Sequence, residues 1–97
     1  MTAPYVSNPP GSGKYLNIAG GTEGTQVKSG VGSLTTLTIN TAASGSTIEL
    51  FDGTSTAGTP IATIDGDTQV SLDYGLQFNA GLFVVITNAP NVTLIFS

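Results

Sequence analysis

The side chains of this sequence best suited to acid–base chemistry are six carboxylates: Glu23, Glu49, Asp52, Asp65, Asp67 and Asp73. The chain has no histidine and no cysteine, which excludes Ser–His and Cys–His nucleophilic systems. Two carboxyls about 5–10 Å apart could serve a glycosidase, but so few polar side chains offer little for a substrate cleft. The sequence therefore predicts a protein that is not an enzyme and that uses no cofactor.

The one acidic cluster in the sequence is Asp65-Gly66-Asp67. Aspartate side chains and loop carbonyls could supply the six to eight oxygen ligands that Ca²⁺ requires, although the EF-hand spacing is absent. An Asp-Gly hairpin turn explains the same residues more simply. We expect the turn, and the sequence leaves calcium binding open.

Charged residues make up only 8% of the chain, and the formal net charge is −4. Two lysines cannot form the basic patch that nucleic acid or an anionic membrane surface requires. Threonine, serine, asparagine and glycine replace the missing charges, and such a surface resembles the charge-poor core of a protein interface. We therefore expect partner subunits to cover much of the exterior, the alternative being a surface that is merely neutral. No signal segment or membrane span is recognisable, so we expect synthesis in the cytoplasm.

The chain divides into two segments of different character. Residues 1–24 are rich in proline and glycine and predict an extended arm, with a short strand at 14–18. Residues 25–97 contain short β-branched runs bounded by turn residues. We predict an all-β fold, an antiparallel β-sandwich (jelly-roll or Ig-like) of about seven to eight short strands. Those strands are expected at 24–29, 33–40, 47–52, 60–64, 68–73, 76–78, 82–87 and 92–97.

Local signals refine this prediction. Leu34 has the wrong parity for its strand, which indicates a bulge near Thr35, and Gly75 is expected to break a strand. Hairpins are expected at Asp65-Gly66 and at residues 88–91. The strand at 82–87 is apolar on both faces, so we expect it to be buried on both sides.

Four residues are candidate partner-binding residues. Phe51 and Ile95 point away from the expected core, as does the second face of the strand at 82–87. Tyr5 and Tyr15 lie in the arm, where each could anchor in a neighbour's pocket or fold back over its own domain. Val70, Leu72 and Tyr74 are expected to share the core face of one strand.

From residue 27 onward the order of features resembles a small β-sandwich module of tailed-bacteriophage structural proteins. The similar segments are KSGVGSLTTLTIN (28–40), TIELFDGTS (47–55), GTPIATI (58–64), LDYGLQF (72–78), GLFVVIT (81–87) and VTLIF (92–96). Each motif is turn chemistry plus alternation, and their ordered series is more specific than any one of them.

The resemblance implies a virion structural protein, a capsid decoration or cement protein that binds the major capsid protein, with a homotrimer favoured. It implies no catalytic residues and a place on the capsid surface. The alternative is a tail-fibre or neck-associated module that contacts a host surface glycan or receptor. That alternative predicts exposed aromatic rings near carboxylates, and Asp73-Tyr74 is an adjacent pair of this kind.

Overall fold

The computed structural model of the chain describes residues 14–19 and 24–97. These residues form strands and loops, with no helix among them. The eight strands are β1 (Lys14–Ala19), β2 (Gly24–Ser29), β3 (Gly32–Thr41), β4 (Thr47–Asp52), β5 (Thr59–Asp65), β6 (Ser71–Phe78), β7 (Gly81–Thr87) and β8 (Asn91–Phe96). The predicted all-β fold is confirmed.

The strands form two four-stranded antiparallel sheets. The first, here called sheet one, has the order β1-β8-β3-β6, and the second, sheet two, has the order β2-β7-β4-β5. Of all consecutive strands, only β4 and β5 pair with each other in one sheet; every other connection crosses between the sheets. This order is that of an eight-stranded jelly roll, which decides between the two sandwich types that the sequence allowed.

Both predicted hairpins are wrong. Asp65-Gly66 follows β5 in sheet two and leads to β6 in sheet one, and residues 88–91 connect β7 to β8 in the same manner. Both segments are corners between sheets. The same turn residues suit a hairpin and an inter-sheet corner, because both need only a tight reversal of the backbone. The strand pairing that separates them is a tertiary property.

The core lies between the sheets and follows the alternation of each strand. Sheet two contributes Ile48 and Leu50 from β4 and every second residue of β7, and sheet one contributes alternate residues of β3 and β8. The fully buried apolar side chains of the strands are Leu34, Leu37, Ile39, Ile48, Leu50, Phe78, Leu82, Val84, Ile86, Val92 and Leu94. β7 lies between β2 and β4, yet only its inner face is buried. Phe83 and Val85 on its outer face are half-buried, so the expected burial of both faces is not reached within the sandwich.

Sheet one has two irregularities that bear on the predictions: one matches the sequence prediction and the other does not. The register of β3 shifts between Leu34 and Thr36, so the predicted bulge near Thr35 is confirmed. Gly75, by contrast, does not end a strand: β6 continues through it with a φ of 58°. A left-handed glycine inside a strand makes a bulge, and pairing resumes beyond it.

The segment predicted as an arm is described only in part. Lys14–Ala19 is a strand, as predicted for 14–18, and it pairs along its whole length with β8 at one side of sheet one. Tyr5 and Glu23 lie outside the described residues.

Candidate interaction surfaces

The carboxylate of Asp52 holds the turn between β6 and β7. Its two oxygens accept hydrogen bonds from the backbone N–H groups of Asn79 (2.9 and 3.0 Å) and Ala80 (2.8 Å). The bond from Ala80 and then that from Asn79 lower the pKa of Asp52, because both favour the charged form. This carboxylate acts as a structural acceptor at the end of β4.

The acidic cluster serves a corner of the fold. Oδ1 of Asp67 accepts a hydrogen bond from the backbone N–H of Ser46 (3.2 Å), and the Gly66 N–H donates to the Ser46 carbonyl (2.9 Å). The Ala43 N–H donates to the carbonyl of Gly66 (3.0 Å). Within 14–19 and 24–97, no three metal-ligating side chains are grouped as an ion would need. These contacts give Asp67 and Gly66 a structural role.

Asp73 and Tyr74, although adjacent in the chain, lie on opposite faces of β6. Tyr74 is half-buried and packs against the core, as its parity predicts, and burial raises the pKa of its phenol. Asp73 is exposed on the outer face, where it accepts a hydrogen bond from the Thr36 hydroxyl (3.4 Å). This pair therefore does not form an aromatic and acidic binding site.

The outer face of sheet two carries a row of large apolar side chains. Phe51 of β4 and Phe83 of β7 are register partners, and both are half-buried. Pro60 of β5 lies beside Phe51, and Val85 follows Phe83 on the same face of β7. Phe51, Pro60, Phe83 and Val85 are here called the aromatic face.

The ring of Phe83 lies on the backbone of Gly24 in the neighbouring strand. A Cβ atom built on Gly24 would overlap Cζ of that ring, so only glycine leaves room for this arrangement. The one charged neighbour in the adjacent register row is Glu49, the partner of Val85. The aromatic face is thus apolar and nearly free of charge.

The outer face of sheet one has a different chemistry, a network of amides and hydroxyls. Asn17 of β1 and Asn40 of β3 approach β8 from opposite sides. Their Nδ2 groups both donate to Oδ1 of Asn91 (2.8 and 2.9 Å) and to Oγ1 of Thr93 (2.9 and 2.8 Å). Thr38 and Ser71 form a separate hydroxyl pair (3.0 Å) on the same face. We call this surface the amide face.

Two of the predicted contact residues meet at one end of the amide face. Tyr15 and Ile95 are register partners on β1 and β8. Tyr15 is 76% exposed, the most exposed of the large apolar side chains in the described residues, and Ile95 is half-buried. The structure therefore brings Tyr15 and Ile95 together, while Phe51 lies on the opposite side of the sandwich.

The sequence predicted that Phe51, Ile95 and one face of β7 point away from the core, but it did not predict the amide network. Asn17, Asn40 and Asn91 are far apart in the chain and share no motif. The only available signal was parity, because Asn40 and Thr38 alternate with the buried Ile39 and Leu37. Parity could assign them to the outer face, and only strand order could bring them together.

Comparisons with known proteins leave the family open: no family model matches the chain, and no curated protein matches it significantly. Residues 14–19 and 24–97 include no helix long and apolar enough to cross a membrane.

Proposed function

We propose that this chain is a structural subunit of a virus particle, a capsid decoration or cement protein that binds and stabilises the lattice of major capsid proteins. The observation that supports the proposal most directly is the row of outward apolar side chains on the aromatic face. An antiparallel sheet that faces water on one side normally alternates apolar and polar residues. In sheet two, Phe51, Phe83 and Val85 instead turn apolar side chains outward.

The chemistry of this face suits a protein partner. Phenylalanine side chains can each bury about 150–250 Å² and often dominate the energetics of an interface. Glu49 is the one carboxylate beside the row, so covering it would desolvate little charge. A sandwich about 10 Å thick between its sheets has the aromatic face on one side and the pair Tyr15 and Ile95 on the other. Such a unit can bridge two neighbouring subunits.

The virion setting comes from the resemblance to tailed-bacteriophage modules, as does the expectation of a homotrimer on the capsid surface. The jelly-roll order supports the proposal, since this fold is common in viral capsid proteins, although a fold alone does not define a function. The mechanism is adhesion. Sheet faces with little charge bind adjacent capsid subunits and resist separation of the lattice under internal pressure.

The test is co-sedimentation with capsids of the encoding virus that lack this protein. The double variant Phe51→Ser/Phe83→Ser should lose most of its occupancy, because the partner would meet polar side chains in place of the two rings. Val31→Ser is the matched control, since Val31 is 58% exposed but lies in the loop between β2 and β3. Equal occupancy for the double variant and the wild type, with both folded by circular dichroism, would overturn the proposal.

A second candidate function is binding of a host surface glycan or receptor, favoured by Tyr15. An exposed aromatic ring beside amides held in fixed orientations offers a stacking surface and directed hydrogen bonds. Tyr15 and Asn17 point to the same face of β1, two residues apart. On a glycan array, Tyr15→Ala should abolish any wild-type signal and Phe51→Ser should leave it unchanged. Absence of wild-type signal on neutral and acidic glycans would reject this candidate.

A further inference from the structure

We propose that β1 is a self-association edge: β1 of one copy pairs antiparallel with β1 of a second copy, with Asn17 on the two-fold axis. The paired chains would form one continuous eight-stranded sheet from two copies of sheet one. This inference rests on the described strands alone and holds whether or not the protein binds a capsid.

Edge strands expose unpaired backbone groups, and proteins usually obstruct them with bulges, prolines or charges. Three of the four edges here are obstructed. β5 contains Pro60 and a register shift, β6 contains the bulge at Gly75, and β2 has a register shift beside Lys28. β1 differs, because its six residues pair one to one with β8 without interruption. Among the described strands it is the one regular edge.

The hydrogen-bonding direction of β1 follows from that of β8. Ser97 and Ser33 exchange two backbone bonds of 2.9 Å, so the N–H and C=O of Ser97 point toward β3. These directions alternate along a strand, so the even-numbered residues of β8 point toward β1. Their register partners in β1 are also even-numbered. The backbone groups of Tyr15, Asn17 and Ala19 therefore point away from β8, toward the open edge.

One register lets the backbone groups of all three residues form hydrogen bonds with the second copy. If Asn17 faces Asn17 of the second copy, Tyr15 faces Ala19 in both directions, and each pair exchanges two hydrogen bonds. Between them, Leu16 faces Ile18 of the second copy. Directly opposed residues share a face of the sheet. The two half-buried core-side residues thus cover each other, and the large ring of Tyr15 meets the small Ala19.

This match explains why the occupant is a second copy of the same chain. With a two-fold axis through Asn17, the large Tyr15 faces the small Ala19, and the apolar Leu16 faces the apolar Ile18. None of these facing pairs, nor the Asn17 pair, contains a charged side chain. The contact is isologous and closes on itself. It is also compatible with a trimer, because assemblies of dihedral symmetry contain two-fold and three-fold axes together.

Single-cysteine variants test the register, because the natural chain has no cysteine. In Asn17→Cys the two thiols would lie on a hydrogen-bonded pair with Cα atoms about 5.5 Å apart, within disulfide range. Mild oxidation should give a covalent dimer. Tyr15→Cys is the matched control, because its two copies would be about 13 Å apart along the strands. Mixing it with Ala19→Cys should give the mixed dimer.

A proline variant tests the association without oxidation. The backbone N–H of Asn17 points to the open edge, and proline is tolerated at such edge positions. Asn17→Pro therefore keeps the backbone bonds to β8 and removes only the edge donor and the side-chain bonds to residues 91–93. We expect this variant to keep the β-sheet circular dichroism spectrum and to lose the concentration-dependent dimer seen in sedimentation equilibrium of the wild type. If Asn17→Pro fails to fold, Asn17→Lys provides the same comparison without constraining φ.

Two results would overturn the inference. One is cross-linking of Asn17→Cys that is no faster than that of Tyr15→Cys, with no mixed dimer from Tyr15→Cys and Ala19→Cys. The other concerns association in solution: either the wild-type protein stays monomeric, or a folded proline or lysine variant associates as strongly as the wild type. Neither result bears on the aromatic face, so the proposed function would stand or fall by its own test.

Discussion

At the residue scale, Asp52 shows how a carboxylate in a chain with few charges serves the fold. Its oxygens accept hydrogen bonds from Asn79 and Ala80, and those bonds hold its pKa below the ordinary value of 3.8. A lowered pKa in the folded state means that the folded protein favours the charged form. The stability that Asp52 contributes is therefore fully present above pH 3.8 and is lost as the pH falls through the lowered pKa.

We predict that Asp52→Asn reduces stability near neutral pH and flattens its decline in acid. The neutral amide accepts weaker hydrogen bonds than a carboxylate, and it does not titrate. The measurement is the urea midpoint between about pH 6 and about pH 2, the range over which paired carboxylates lose their contribution.

Glu49→Gln is the charge-matched control for this experiment, because it also removes one negative charge and lies on the same strand. If Asp52→Asn and Glu49→Gln give the same pH profile, the effect belongs to net charge and not to the bonds at the turn.

At the element scale, the corner between β7 and β8 contains backbone strain. Asn88 and Ala89 both have positive φ values, 63° and 55°. Asparagine tolerates this region and here donates from Nδ2 to the carbonyl of Gly45 (2.9 Å). Ala89 adopts it at a cost, because its Cβ crowds the following carbonyl oxygen. The corner is held in place by the two sheets that it joins.

We predict that Ala89→Gly stabilises the protein by about 1 kcal/mol, because glycine adopts a positive φ without the Cβ penalty. The melting temperature should rise by about 4–8 °C for a domain of this size. Ala57→Gly is the control: Ala57 is exposed and is not among the non-glycine residues with positive φ. That variant should lose stability, and a gain of equal size in both would contradict the strain at Ala89.

At the scale of the whole molecule, the shortage of charge gives the protein its surface character. The outer faces of the two sheets present aromatic and aliphatic groups on one side and amides and hydroxyls on the other. Screening by salt acts on interactions between charges and leaves contacts between uncharged groups largely unaffected. The proposed docking through the aromatic face should therefore depend little on ionic strength.

We predict that occupancy on capsids changes by less than about threefold when NaCl rises from about 0.1 M to about 1 M, although the Debye length shrinks from about 10 Å to about 3 Å. Ammonium sulfate should strengthen binding, because sulfate favours burial of apolar surface. Co-sedimentation measures both effects. A steep fall of occupancy with NaCl would indicate an electrostatic contact and would contradict docking through Phe51 and Phe83.

The sequence determined most of the elements and their inward and outward faces, but it divided β6 at Gly75 and wrongly assigned the exposed Val70 to the core. Alternation assigned Val92, Leu94 and Phe96 to the core and Ile95 to the outside, and the parity of Leu34 located the bulge in β3. These features depend on neighbours in the chain, because the two-residue period of a strand is a local property. For the same reason, parity placed Tyr74 inside the sandwich.

Only the tertiary structure decided which strands are neighbours. The two expected hairpins are corners between sheets. On the outer face of sheet one, Asn17 and Asn40 both contact Asn91. On the outer face of sheet two, Phe51 lies beside Phe83. The tertiary structure also left β1 as the regular edge among the described strands. Strand order depends on contacts between residues far apart in the chain. The same residue types form hairpin turns and inter-sheet corners, so turn residues alone do not reveal strand order. The fold class could therefore be derived from the chain alone, whereas the surfaces on which a function can be built could not.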